Sequence, residues 1–194
     1  VEWVRQLHPD IESYTKVYEE YGLLRNDKTI MAHAIYITDK EKEILRHNNV
    51  YLAHCAQSNA NLTSGVMTLR RNLTEGLNCV IASDVAAGNS IAMNRHMEYT
   101  IQVSKINELY NKSEKAINLT EALYLATKAP GKFFGKVGSF EEGYEFDALV
   151  IDLQEQENFY RRTPLEKLEQ FIYTGDDRNI STRYCTGKKI TLEC

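Results

Sequence analysis

The chain alternates short unbroken apolar runs with longer stretches whose apolar positions recur every three or four residues. The runs are Ile30-Met31-Ala32, Val50-Tyr51-Leu52-Ala53 and Cys79-Val80-Ile81-Ala82. Each is short and bounded by polar residues, the pattern of a strand, and Cys79 to Ala82 reads as a strand buried on both faces. Helical patterns cover Ile11 to Tyr21, Thr38 to His47, Val66 to Glu75 and Ile91 to Tyr110. The first carries Tyr14, Val17, Tyr18 and Tyr21 at helical spacing, an aromatic stripe of the kind that forms a core face. Thr38-Asp39-Lys40-Glu41 is a capping box, and Gly22 and Gly76 stand where helices stop. Gln57 to Asn61 reads as a polar loop. The rhythm of strand, helix, strand, helix, strand, helix predicts βα units around a parallel sheet.

The remainder changes character. Helical patterns run from Thr120 to Thr127 and from Pro130 to Phe134, and Gly138 to Asp152 reads as turn plus strand. Thr163-Pro164-Leu165-Glu166 is a second capping box, with proline at the first helical position. Ile180 to Cys185 and Lys188 to Leu192 predict a hairpin around Thr186-Gly187. The expected division is therefore 1–135, an α/β unit, and 136–194, part of a small accessory β domain. The opening residues, Val1-Glu2-Trp3-Val4-Arg5-Gln6-Leu7, already follow a helical pattern with no cap before it. They are expected to be the interior of a longer protein.

Composition narrows the function classes. A net charge of −4 and a pI near 5.8 leave no basic footprint for nucleic acid. No apolar run is long enough to span a membrane. The four cysteines show no CxxC spacing. Cys55 and Cys79 fall inside strand patterns, so buried free thiols and a cytoplasmic setting are expected.

The candidate chemistry sits where strands end. His33, His54 and Asp84 follow the three apolar runs, and in a βα barrel such tips converge on one face. Asp84 opens a run of small residues, Ala86-Ala87-Gly88-Asn89-Ser90, that lets a ligand approach the backbone. On this pattern alone Asp84 reads equally as a metal ligand or as a cap for its own loop, and each histidine as a structural or a site residue. Two imidazoles and one carboxylate are a thin set for a catalytic zinc centre, which takes three or four protein ligands.

Taken in order, Met31-Ala32-His33, Leu52-Ala53-His54-Cys55 with Ser58-Asn59, Ser83-Asp84-Val85-Ala86-Ala87-Gly88 and Gly143-Tyr144-Glu145-Phe146-Asp147-Ala148 resemble the amidohydrolase superfamily. The Ser83–Gly88 run and Gly175-Asp176-Asp177-Arg178-Asn179-Ile180 resemble its guanine deaminase branch in particular. The resemblance implies an α/β fold: the last three βα units, strands six to eight, of a (β/α)8 barrel, with the closing part of an accessory β domain. It implies a mononuclear zinc hydrolase that converts guanine to xanthine and ammonia as a full-length protein. The segment alone would be inactive, since a whole barrel takes about 250 residues. The implied partners are a small-molecule substrate and a second copy in a homodimer, without nucleic acid or membrane.

Residue by residue, Asp84 matches the strand-eight aspartate that binds zinc and accepts a proton from the attacking water. His33 matches the strand-six histidine, which orients the attacking oxygen and stabilises developing charge. His54 falls at the strand-seven signature, where a supporting role is implied. Cys55 is expected to be a buried filler, Ser58 and Asn59 turn-formers, and residues 175–179 a structural turn. The remaining ligands, a His-x-His pair and a fifth-strand histidine, are expected upstream of Val1, as are the residues that grip guanine. His8, followed by Pro9, does not suit that fifth-strand position. Three positions depart from the family: Ala34 where it has glycine, Ala56 where it has proline, and Ala82-Ser83 where it has Gly-Thr. Two other readings stay open. One is a deaminase or chlorohydrolase of a different heterocycle. The other is a non-catalytic unit whose open edge at the Thr29 strand pairs with another chain.

Overall fold

The structure is a computed structural model describing residues 2–25, 28–153 and 161–191. Two amino-terminal helices, α1 (Glu2–Leu7) and α2 (Tyr14–Glu20), lead into strand β1 (Ile30–Ala32). Helix α3 (Asp39–His47) connects β1 to β2 (Tyr51–His54). Helices α4 (Ala56–Asn61) and α5 (Leu69–Thr74) connect β2 to β3 (Asn78–Ile81). The three strands form a parallel sheet in the order β1-β2-β3. Its register pairs Ala32 with Ala53 and Ala53 with Val80, so the strand ends lie side by side. As its apolar run predicts, β3 is buried from Cys79 to Ile81, and β2 is buried throughout, whereas Ile30 and Ala32 of β1, at the sheet's edge, are exposed.

Local chemistry starts the crossover helices where expected. The Thr38 hydroxyl accepts from the Glu41 amide at 3.3 Å, and the Glu41 carboxylate accepts from the Thr38 amide at 2.9 Å. Helix α3 then locks to α5 through Lys42, whose stem is buried while its ammonium donates to Glu75 at 2.9 Å. Leu45, Val50, Leu52 and Met67 fill the layer between sheet and helices. Helices α6 (Met93–Tyr110), α7 (Leu119–Ala126) and α8 (Lys128–Phe134) follow β3, and α7 and α8 close the core with Ile117, Leu125 and Ala129.

Strand β4 (Ala148–Ile151), helix α9 (Pro164–Thr174) and strands β5 (Ile180–Cys185) and β6 (Lys188–Ile190) complete the chain. The strands form an antiparallel sheet in the order β4-β5-β6. The hairpin turns on Thr186 and Gly187, both at positive φ, 47° and 76°. Asp147 secures it by accepting from the Thr186 amide at 2.7 Å. The 175–179 turn is structural, as expected. Asp176 caps a single 3₁₀ turn, and the Asn179 amide donates to the Asp152 carbonyl at 2.8 Å. It also anchors α6, since the Asn94 side chain donates to the Gly175 carbonyl at 2.9 Å.

The structure departs from the sequence reading at several boundaries. Gln57 to Asn61 is helical, as part of α4, where a polar loop is expected. Helix α5 begins at Leu69 and α6 at Met93, each later than the apolar pattern suggests. Ser13 caps α2, so the Ile11–Tyr21 pattern also starts late. Cys55 and Cys79 are buried and free, and Cys185 is exposed and free. Val1, Leu192 and Cys194, on which part of the expected first helix, hairpin and thiol set falls, lie outside the described residues. Among the described residues no helix is long and apolar enough to cross a membrane.

Candidate active site

The backbone changes hand where β1 ends. His33 and Ala34 take φ of 72° and 47°, and Asp84, beyond the end of β3, takes 48°. Side chains rarely adopt this region, which costs about 1–2 kcal/mol per residue. Ala34 holds this conformation with a Cβ, at the position where the family pattern has glycine. These turns bring His33 and Asp84 together: the Nε2 of His33 lies 3.8 Å from Asp84 Oδ2. The two side chains keep 43% and 37% of their surface open, so the pair faces solvent.

Cys55 completes the group. One ligand atom each from His33, Cys55 and Asp84 lies within 4.8 Å of the other two. Burial, and then the charge of Asp84, push the Cys55 thiol up to about 11, so without a metal it stays protonated. The nearby His33 backbone, whose amide donates to the Ala53 carbonyl at 2.9 Å, opposes that shift. Cys55 is thus buried as expected, yet its sulfur belongs to the same cluster as the imidazole and carboxylate.

A second set of groups holds this cluster in place, and it lies on α4. The Asn59 side-chain oxygen is 2.8 Å from His33 Nδ1. Gln57 accepts from the Asn89 amide at 2.7 Å, and the Asn61 amide donates to the Ala87 carbonyl at 2.7 Å. The last two contacts clamp the loop that follows Asp84. That loop closes through the Gly88 amide, which donates to the Asp84 carbonyl at 2.7 Å. A Cβ on Gly88 would stand 2.0 Å from the Ser83 carbonyl oxygen, so only glycine fits. Reading residues 57–61 as a loop misses this clamp. Its one signal in the sequence is Gln57 and Asn61 at helical i,i+4 spacing. Ser58 and Asn59, expected as turn-formers, are buried on the helix.

His54 does not join the group. Successive strand side chains alternate faces, and here Cys55 takes the place expected of His54. The His54 ring is buried and lines a separate cavity of about 10 Å³ with Met67, Leu69, Arg70, Val103 and Glu114. Among the described residues its Nδ1 has no hydrogen-bond partner. Burial pushes its pKa down to about 4, so the imidazole is neutral at pH 7. Of the three strand tips expected to meet, the structure brings two together.

A strand-end imidazole and carboxylate thus lie beside a thiol, at the end of a parallel sheet flanked by helices, and these three groups could hold a metal ion. The amidohydrolase family model matches residues 1–190, and the chain belongs to that family. Among relatives, guanine deaminase of Dictyostelium discoideum is 34% identical over 197 residues, covering 98% of this chain and 44% of that protein. The crystal structure of guanine deaminase from C. acetobutylicum, with guanine bound in its active site, matches with a TM-score of 0.92 at 44% identity. That match covers 98% of this chain and 46% of the other. The 5-methylthioadenosine/S-adenosylhomocysteine deaminase of Aquifex aeolicus is 36% identical over 174 residues, 88% of this chain and 38% of that protein. The chain thus spans less than half the length of the relatives it matches.

Proposed function

We propose that this chain is the part of a guanine deaminase that carries strands six to eight of the barrel and its share of the metal site. On this reading β1, β2 and β3 are those strands. Residues 1–135 belong to the barrel and 136–194 to the accessory β domain. The observation that carries the reading is the 3.8 Å approach of His33 and Asp84 beyond the ends of parallel strands.

The donor set fits zinc: a carboxylate, an imidazole and a thiol within 4.8 Å are groups this ion takes. Asp84 is the proposed ligand, completed by donors outside these 194 residues, which contain no His-x-His pair. When bound, zinc supplies a Lewis acid that lowers the pKa of a water toward neutrality. Asp84 accepts a proton from the water that attacks the ring carbon bearing the exocyclic amine. His33 orients that water before attack and, once it carries a proton on both nitrogens, would stabilise the charge that develops on its oxygen. Ammonia leaves and xanthine remains. The proton for the leaving nitrogen comes from a group outside the chain. His54 contacts neither reactant on this reading and acts through the packing of β2. The expectation of a homodimer is supported by the resemblance alone, and that of a cytoplasmic setting by the buried free thiols of Cys55 and Cys79.

A second reading is favoured by the Aquifex relative: a deaminase of a nucleoside adenine ring. The test is to express the chain with the amino-terminal half of a guanine deaminase barrel. Zinc per protein is then measured, along with product formation from guanine and from 5-methylthioadenosine. Zinc retention with xanthine formation supports the reading. Retained zinc with guanine untouched and the nucleoside deaminated overturns the choice of substrate. An assembled barrel that holds no zinc overturns the site.

A further inference from the structure

The His33 imidazole is gripped from behind by a residue that the proposed chemistry does not use. Asn59 is only 2% exposed, yet its side-chain oxygen faces His33 Nδ1 at 2.8 Å. Its own place is firm. The Asn59 amide donates to the Cys55 carbonyl at 2.9 Å, and the Ser64 amide donates to the Asn59 carbonyl at 2.8 Å. A carboxamide oxygen only accepts, so the nitrogen facing it must carry the hydrogen. A neutral imidazole has one such hydrogen, which leaves the other nitrogen with a lone pair. That other nitrogen, Nε2, is the one 3.8 Å from Asp84. Among the described residues the buried Asn59 Nδ2 has no partner, so the His33 contact is what sets the amide's orientation there.

We propose that Asn59 is a positioning residue for His33: its oxygen holds the hydrogen on Nδ1 and so leaves the Nε2 lone pair free to meet the reacting water. The proposal rests on the reading of His33 as an active-site group. It assigns no contact between Asn59 and substrate. With Nδ1 so held, Nε2 accepts a hydrogen bond from the water before attack, the orientation His33 needs in order to orient it. The opposite tautomer would offer an N–H there and turn the water's hydrogens away.

The test reads the tautomer directly. The chain is labelled with ¹⁵N-histidine, and long-range ¹H–¹⁵N correlation spectra are recorded at alkaline pH, where histidines are neutral. The His33 signals are assigned by their loss in His33→Gln. The expected result is a protonated Nδ1 and an unprotonated Nε2. Asn59→Leu removes the acceptor at similar volume and should move the tautomer ratio by about tenfold toward Nε2–H, the worth of one buried hydrogen bond. Asn59→Asp restores an acceptor and should restore the Nδ1–H form, whereas a residue needed only for packing would tolerate leucine better than a buried charge. A wild-type His33 protonated on Nε2, or a ratio unmoved by leucine, overturns the proposal. If Asn59→Leu does not fold, the wild-type spectrum decides alone. The measurement needs neither zinc nor guanine. A wrong tautomer therefore leaves the deaminase reading standing, and a correct tautomer in a zinc-loaded barrel that ignores guanine overturns that reading by itself.

Discussion

His54 makes folding stability depend on pH in a direction and size that the structure fixes. Its ring is buried, its Nδ1 has no partner among the described residues, and burial takes its pKa from 6.5 to about 4. The charged groups lining the same cavity are Arg70, Lys115 and Glu114. The folded state therefore binds the His54 proton more weakly than the unfolded chain does. Between pH 6.5 and 4 the unfolded state carries the extra proton, so stability rises with pH across that window. The contribution is fully present above pH 6.5 and is lost as pH falls toward 4. At about 1.36 kcal/mol for each tenfold change in proton affinity, the fall from 6.5 to about 4 is worth ~3 kcal/mol. About 2 kcal/mol of this should already be gone at pH 5, a large share of a typical domain's 5–15 kcal/mol. Urea unfolding of the chain from pH 7.5 to pH 5, beside His54→Asn, isolates the effect from the carboxylates, which titrate in both proteins. The asparagine variant should be less stable at neutral pH if the cavity contracts poorly, but its stability should fall less steeply with acid. Equal slopes for the two proteins would refute the argument and mean that His54 gains a partner on protonation.

Three other substitutions test the site's scaffold. Gly88→Ala places a Cβ 2.0 Å from the Ser83 carbonyl oxygen; it should cost about 1–3 kcal/mol or more in urea unfolding, and an unchanged midpoint would show that the Asp84 loop yields freely. Ala34→Gly should relieve the left-handed strain at φ 47°, about 1–2 kcal/mol, against an unfolded-state entropy cost of about 0.4–1 kcal/mol. The result is a chain more stable by about 1 kcal/mol or less; a lower melting temperature would count against the strain. Asp84→Asn, in the chain completed by an amino-terminal barrel half, should abolish xanthine formation and reduce zinc per protein, and undiminished zinc would remove Asp84 from the ligand set.

The parallel sheet was legible because its strands are unbroken apolar runs, and β2 and β3 are buried along almost their whole length. The same property hid which way each tip points. In a half-exposed strand, alternation marks the faces; in β2, where Tyr51 to His54 are all buried, both faces are apolar and no residue marks the pocket side. On sequence, His54 therefore takes a supporting role and Cys55 that of a buried filler, whereas the sulfur of Cys55 is the atom that lies with His33 and Asp84. Asp84 escaped this ambiguity because it lies beyond β3, in a loop whose left-handed turn and tight closure at Gly88 set its direction. Helix α4 was illegible for a different reason. Ala-Gln-Ser-Asn-Ala-Asn has no apolar stripe, and its helical form is held by contacts to distant segments: Gln57 on Asn89, Asn59 on His33, Asn61 on Ala87. A six-residue helix is too short to persist on propensity, so its existence and its function share one cause. Both depend on the two site loops it grips. Those loops in turn bear backbone strain at His33, Ala34 and Asp84 that local preference would release. Strained tips and polar clamp stabilise each other. Cutting any one of the three α4 side-chain contacts should therefore displace His33 or Asp84 before it unfolds the sheet beneath them.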